Sequence, residues 1–206
     1  MKLKFESHSV SDWDFTYGTS HRSLSAVTYV SPPTSLLLEY PFPANVTITV
    51  LCRLDATQVL PEGELRTWLY SKYGGNKPFI FRNQAALGSA DNTNCYYLNF
   101  SSNLARLRRV IGGGMVEIGT WPIVYTYETW QHWRVVWWNG LTGEGVPALA
   151  VDLYKEVTGE WVKQGSTRYD TTNQWKESAI NRCGLIGQTD QYMPVYLDDT
   201  EIWGPV

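Results

Sequence analysis

Alternation of bulky and polar side chains is sharpest at residues 130–138, where nine positions hold four Trp and two Val. Such side chains suit a pleated, packed surface. A period of two assigns Gln131, Trp133, Val135 and Trp137 to one face, and Trp130, His132, Arg134, Val136 and Trp138 to the other. Large rings on both faces predict a central strand that is covered twice, once by a core and once by loops or a partner. Residues 148–157 alternate more simply. Leu149, Val151, Leu153 and Val157 face a core, with Ala148, Ala150, Asp152, Tyr154 and Glu156 opposite. The turn-rich connector 139–147 joins the two runs as an antiparallel hairpin.

The same reading carries through the chain. Leu3 and Phe5 alternate with charged neighbours in a short first strand, and residues 23–30 and 35–40 follow on either side of the Pro32-Pro33 break. Residues 46–54 alternate cleanly, with Val46, Ile48, Val50, Cys52 and Leu54 inward. Further strands are predicted at 64–71, 79–82, 95–100, 104–111, 115–118, 160–163, 179–186 and 194–203. Gly112-Gly-Gly114 supplies the positive φ of a tight turn. The Gly/Ala/Asn-rich stretch 84–94 and the polar segment 164–178 read as loops, the first of them mobile. No sustained helical periodicity, repeat or low-complexity tract interrupts the pattern, so the 206 residues read as a single all-β domain, an antiparallel two-sheet β-sandwich.

Composition narrows the partners. A net charge of −3 provides no general attraction for nucleic acid or an anionic membrane surface, and no segment reaches a transmembrane length. Cys52, Cys95 and Cys183 are widely spaced, without metal-ligand spacing, and read as reduced and mostly buried.

The order of these signals resembles the concanavalin A-like, or laminin-G-like, jelly rolls. Phe5-Glu6 followed by Trp13 resembles the opening of such domains, and residues 46–55 an inner strand. Cys95-Tyr-Tyr-Leu-Asn-Phe100 with residues 107–118 resembles the central hairpins. The Trp-x-x-x-Arg-Val run from Trp130 and the pair Gly184-Leu-Ile-Gly187 and Val195-Tyr-Leu-Asp-Asp199 complete the likeness. The resemblance extends over nearly the whole chain and implies the fold. That architecture hosts lectins, hydrolases, lyases and structural spacers, so it does not choose a function.

Enzymes of this fold set a test for the residues. The laminarinase-like hydrolases carry Glu-x-Asp-x-x-Glu on one strand, so that two carboxylates flank the scissile bond. That triplet is missing, and Asp152 with Glu156, interrupted by Tyr154, is adequately explained as a solvated face. Glu64-Leu-Arg66 and Gln131-His132 resemble parts of alginate-lyase-like sites, but the Tyr- and Lys-rich terminal strand of those enzymes is replaced by one bearing Asp198-Asp199.

A binding face is the sharper candidate: Trp130, His132, Arg134 and Trp138, with Tyr154 from the next strand, combine flat rings and hydrogen-bonding groups as a sugar requires. Arg106 and Arg108, on one side of a strand, read as a solvated face. At Asp198-Asp199 the apolar parity changes, which predicts a bulge or an inward carboxylate. By the resemblance, a structural Ca²⁺ would lie between Glu6 and these late aspartates, Asp198 and Asp199; the alternative is hydrogen bonding to loop amides. The expected function is non-catalytic and lectin-like: a carbohydrate-binding or structural module. Because the chain starts at Met without an apolar leader, a virion surface setting is expected, such as capsid decoration or tail association. The partner is then a glycan, a neighbouring capsid or tail subunit, or a second copy. A polysaccharide lyase or glycoside hydrolase of the same fold is the second reading.

Overall fold

The computed structural model describes residues 2–6, 10–15, 22–26, 30, 35–38, 46–52, 60–71, 79–86, 88–189 and 195–204, with the backbone alone at 2–6, 10, 15, 22–24, 38, 46–50, 52 and 186–189. Among the described residues sixteen strands run in chain order: β1 (Lys2–Glu6), β2 (Trp13–Phe15), β3 (Arg22–Ser25), β4 (Ser35–Leu38), β5 (Val46–Cys52), β6 (Gly63–Ser71), β7 (Phe79–Asn83), β8 (Cys95–Phe100), β9 (Leu104–Ile111), β10 (Gly114–Pro122), β11 (Gln131–Leu141), β12 (Pro147–Val157), β13 (Glu160–Lys163), β14 (Arg168–Asp170), β15 (Arg182–Thr189) and β16 (Val195–Gly204). Apart from a 3₁₀ turn at Val10–Asp12, the described residues contain no helix.

The strands form two antiparallel sheets. The larger has the order β13-β12-β11-β6-β16-β4-β3, and the smaller β10-β9-β8-β7-β15-β5-β2. Two long strands of the larger sheet have a divided edge. β16 meets β4 along Val195–Leu197 and β1 along Glu201–Gly204; β12 meets β14 along Leu149–Val151 and β13 along Tyr154–Val157. The first and last strands are therefore neighbours, as the jelly-roll reading requires, and their pairing hides an edge that would otherwise template aggregation.

The core lies where the inward faces meet. Trp133, Val135 and Trp137 of β11, with Leu149, Val151 and Leu153 of β12, pack against Phe79, Phe81, Tyr96, Leu98 and Phe100 of the smaller sheet. Ring contacts join the layers, with Phe81 stacked on Trp137 at 5.0 Å and Phe100 tilted on Trp133 at 4.8 Å. Close packing also fixes Gly63, where an added Cβ would come within 2.8 Å of the Trp137 ring and 2.9 Å of the Trp203 carbonyl oxygen.

Several boundaries differ from the sequence expectation. β10 continues past Ile118 to Pro122, β11 starts at Gln131, and residues 179–181 precede β15. The polar segment 164–178 contains β14, a strand whose backbone pairs with β12 although its side chains do not alternate in polarity. Residues 84–86 and 88–94 lie over the outer face of the smaller sheet, where Ala85 and Ala90 are buried with Leu51, Ile80, Cys95 and Val110. They are pinned by Arg182, whose guanidinium donates to the Ala86 and Ser89 carbonyls and to the Asp14 carboxylate at 2.6 Å. The inward assignments at 46–50 and 52 concern side chains outside the described set. Cys95 and Cys183 are buried, and burial, helped by Asp91, pushes the Cys95 thiol up to about 12.

Arg82 departs furthest from alternation. Phe79 and Phe81 point inward, so Arg82 should point out; instead its φ of 46° turns it into the end of the core, fully buried. There it donates to the Pro61 carbonyl, Asn139 Oδ1, Asn173 Oδ1 and the Gln174 carbonyl. Desolvation lowers its pKa to about 10, so it still holds its charge at neutral pH. The bulge that allows this is visible in the register: the four residues Ile80–Asn83 oppose the three Arg182–Gly184.

Asp170, at the end of β14, ties the following loop to the smaller sheet. It accepts from Tyr96 at 2.7 Å, from Arg109 at 2.6 Å and from the Thr172 hydroxyl at 2.8 Å. Burial alone would raise this carboxyl, but the hydrogen bonds from Tyr96, Arg109 and Thr172 outweigh it and hold the folded pKa below the ordinary 3.8. The stabilisation is complete above 3.8 and is lost as pH falls through the folded value. Asp170→Asn is expected to cost about 2–4 kcal/mol at neutral pH. Denaturant titrations of variant and wild type across the acid range should show that difference shrinking below pH 4, roughly where an ordinary carboxylate protonates.

Candidate functional site

The outward face of the larger sheet is an ordered grid, because register places the outward residues of β13, β12, β11, β6 and β16 opposite one another. Next to the 130 end, Tyr70 meets Trp130 at 5.5 Å, tilted, and Tyr196 at 5.6 Å, edge-on. The next row runs Trp161, Glu156, His132, Trp68 and Asp198. After it come Lys163, Tyr154, Arg134, Arg66 and Glu201, and then Asp152, Val136, Glu64 and Trp203.

All five residues predicted to bind a ligand lie on this face. Trp130, just before β11, His132, Arg134, Trp138 and Tyr154 are each half-buried. Arg134 and Tyr154 are cross-strand partners with the guanidinium 4.8 Å from the ring centre. Trp138 lies across the small residues Gly140 and Ala150: an added Cβ at Gly140 would fall 2.9 Å from the indole nitrogen. Alternation alone did not bring in the β6 and β16 members, since strand adjacency across more than sixty residues leaves no local trace, whereas β13 follows β12 through the two-residue turn at Thr158-Gly159. The available signal was the outward parity Glu64, Arg66, Trp68 and Tyr70 of β6.

Electrostatics organise the middle of the grid. Glu64 is only 1% exposed, with one oxygen on the Arg66 Nε and the other 2.6 Å from an Arg134 Nη. Arg66 reaches toward Glu201 at 3.9 Å and lies 5.0 Å from the Trp203 ring centre. Lys163 pairs with Asp152 at 2.8 Å, and Tyr154 donates its hydroxyl to the same carboxylate at 3.1 Å. These neighbours raise the Tyr154 pKa, with desolvation the larger cause and Asp152 next. The phenol therefore stays protonated.

The Trp68 and His132 rings stack at 4.6 Å with planes 11° apart, and Trp161 tilts on His132 at 4.6 Å. His132 Nδ1 is 2.5 Å from Glu156. Desolvation lowers its pKa despite the opposing pull of that carboxylate, so the ring is neutral at pH 7. A carboxylate accepts only, which assigns the proton to Nδ1 and leaves the lone pair on Nε2.

The late aspartates do sit at a bulge, since the β16 register shifts between Asp198 and Glu201 and Asp199 has φ 43°. Asp198 is buried and accepts backbone N–H groups from Val30 at 2.6 Å and Asp199 at 2.9 Å, while Asp199 is exposed. That is the amide-bonded use of a carboxylate that is buried on the outward face. Glu6 lies opposite Glu201 in the register, but its side chain is outside the described set. Among the described residues no group of three or more His, Cys, Asp and Glu gathers as a metal site. Arg106 ion-pairs with Glu117 at 3.6 Å and Arg108 donates to the Tyr97 hydroxyl, as a solvated strand face would. An open recess of about 590 Å³ lies elsewhere, between Pro147 and the loop 171–178 that Arg82 and Asp170 hold. Among the described residues no helix is long and apolar enough to cross a membrane.

Comparison with solved structures agrees on the architecture. The chain is similar to a carbohydrate binding module, CBM66, from Bacillus subtilis, with a TM-score of 0.53, 11% identity and coverage of 94% of this chain and 96% of that one. It is also similar to a Bacteroides ovatus mixed linkage glucan GH16 protein in complex with a product, with a TM-score of 0.56, 11% identity and coverage of 96% and 99%. Alginate lyase vAL-1 from a Chlorella virus has a TM-score of 0.52, 9% identity and coverage of 95% and 94%. The fold is therefore that of the concanavalin A-like jelly rolls. No protein-family model matches the sequence, and no curated protein matches it.

Burial of neutral His132 has a measurable signature. Between 6.5 and its lower folded pKa, the unfolded chain takes up a proton that the folded chain does not, so stability falls as pH drops through that window. The penalty is absent above 6.5. In thermal melts from pH 7.5 to pH 5, roughly spanning the titration of an ordinary His, His132→Gln is expected to show a shallower loss of melting temperature than wild type.

Proposed function

We propose that the outward face of the larger sheet is a non-catalytic carbohydrate-binding surface. The observation that carries this reading is the aromatic end row of Trp130, Tyr70 and Tyr196, half-buried and contiguous with a polar grid whose side chains already hold one another in place. The tilted contact of Trp130 with Tyr70 does not cover a ring face as the Trp68–His132 stack does, so a pyranose can lay its C–H face there. The adjacent carboxylates and indole N–H groups provide hydrogen-bonding partners for its hydroxyls. Preassembly limits the entropy lost on binding.

Two features support the absence of catalysis. Retaining or inverting hydrolysis requires two carboxyl groups standing across a sugar, whereas Glu64, Asp152, Glu156 and Glu201 each engage a side chain of the grid. A lyase requires an arginine for the uronate and a tyrosine able to exchange a proton. Here the arginines contact Glu64, and Tyr154 is held protonated beside Asp152.

Affinity electrophoresis in gels containing laminarin, mixed-linkage glucan, xylan or galactomannan is expected to retard the protein, with reducing-end and unsaturated-product assays flat. Trp130→Ala should weaken retention by roughly tenfold or more, equivalent to about 1.4 kcal/mol, while leaving solution mass unchanged. If the wild type is retained by no polymer and the same substitution instead dissociates an oligomer, the face is a subunit contact and the proposal fails. Turnover abolished by His132→Ala or Arg66→Ala would replace it with the enzymatic reading.

A further inference from the structure

Resting on that reading, we infer that the face selects uncharged glycans and that Glu64 is the residue that excludes anionic ones. Arginines on a sheet of this kind are the obvious recognition groups for a uronate or sulfate, because a guanidinium binds planar anions bidentately. Arg66 and Arg134 are directly opposite each other in the β6–β11 register. Two like charges so placed would repel each other and form a strong anion site. Glu64 prevents both outcomes. It stands one row away on the same face, almost completely withdrawn from water, with one oxygen on each guanidinium.

The remaining faces of the guanidiniums are also occupied. Arg134 is 4.8 Å from the Tyr154 ring centre and 5.8 Å from that of Trp161; Arg66 is 5.0 Å from Trp203 and 5.8 Å from Trp161. Among the described residues, the grid carries five carboxylates, on Glu64, Asp152, Glu156, Asp198 and Glu201, against three fixed cations, on Arg66, Arg134 and Lys163. With His132 neutral, these described residues carry an excess of two negative charges. A polyanion approaching the grid therefore meets like charge from them and arginines that are already paired at short range. A neutral sugar meets neither penalty.

Glu64→Gln tests this almost isosterically. The amide keeps one acceptor but turns a donor toward the second guanidinium, which frees one arginine. The variant is expected to gain retention in polygalacturonate and alginate gels, roughly tenfold over wild type at low salt, and to lose the gain at high salt. The double variant Glu64→Gln/Arg134→Ala should lose most of it. Should Glu64→Gln fail to fold, Glu201→Gln releases the other contact of Arg66 at a partly exposed position, and a smaller gain is expected. Wild type retained by polygalacturonate or alginate as strongly as by neutral glucans overturns the inference, and so does a folded Glu64→Gln with no gain on either polymer. Wild type retained by no polymer, with Glu64→Gln still gaining the uronates, overturns the binding proposal and leaves the role of Glu64 intact.

Discussion

A carboxylate removed from water must be compensated, and on the larger sheet that requirement organises everything around it. Glu64 is buried on the face that looks away from the core, where alternation alone would leave it solvated. Its two oxygens draw Arg66 and Arg134 together across the β6–β11 pair, and the guanidiniums in turn order Tyr154, Trp161 and Trp203. Either partner alone would leave a desolvated charge, a cost of several kcal/mol in typical cases. The outward face is consequently as determined as the core beneath it, although it is ionic and aromatic rather than aliphatic.

Elsewhere, positive charge is used to fasten loops to the sandwich. Arg82 enters the end of the core through a bulge and gathers carbonyl and amide oxygens from three segments. Arg182 holds residues 86 and 89 against Asp14. Arg109 meets Asp170 at the foot of β14. Each guanidinium supplies several donors in a fixed plane, which suits the joining of backbone that has no ladder partner. The segments so fastened thereby become part of the packed structure beside β11 and β12.

How much of this was legible in the sequence varied with the range of the interaction. The two faces of β11 were readable from period-two alternation, and so were the β11–β12 hairpin and the bulge at Asp198-Asp199, because these depend on residues near in sequence. What escaped was non-local or conformational. Nothing local in Glu64-Leu-Arg66 announces that β6 will lie beside β11, so the central ion set was missed even though its strand was placed. The φ of 46° at Arg82 reverses the direction that alternation assigns, and no glycine marks it. β14 carries Arg168, Tyr169 and Asp170, whose side chains give no strand pattern; backbone pairing to the divided edge of β12 forms it.

The central claim is that the outward face of the larger sheet, and not the loop recess at 171–178, receives a sugar. Tryptophan indole N–H resonances distinguish them, since the chain places Trp68, Trp130, Trp138, Trp161 and Trp203 on the face, Trp175 at the recess, and Trp13, Trp121, Trp133 and Trp137 in the core. Titration of ¹⁵N-labelled protein with a neutral glucan oligosaccharide should move the resonances of Trp130 and its neighbours on the face, leaving those of Trp175 and the core in place. Movement confined to Trp175 would contradict the account.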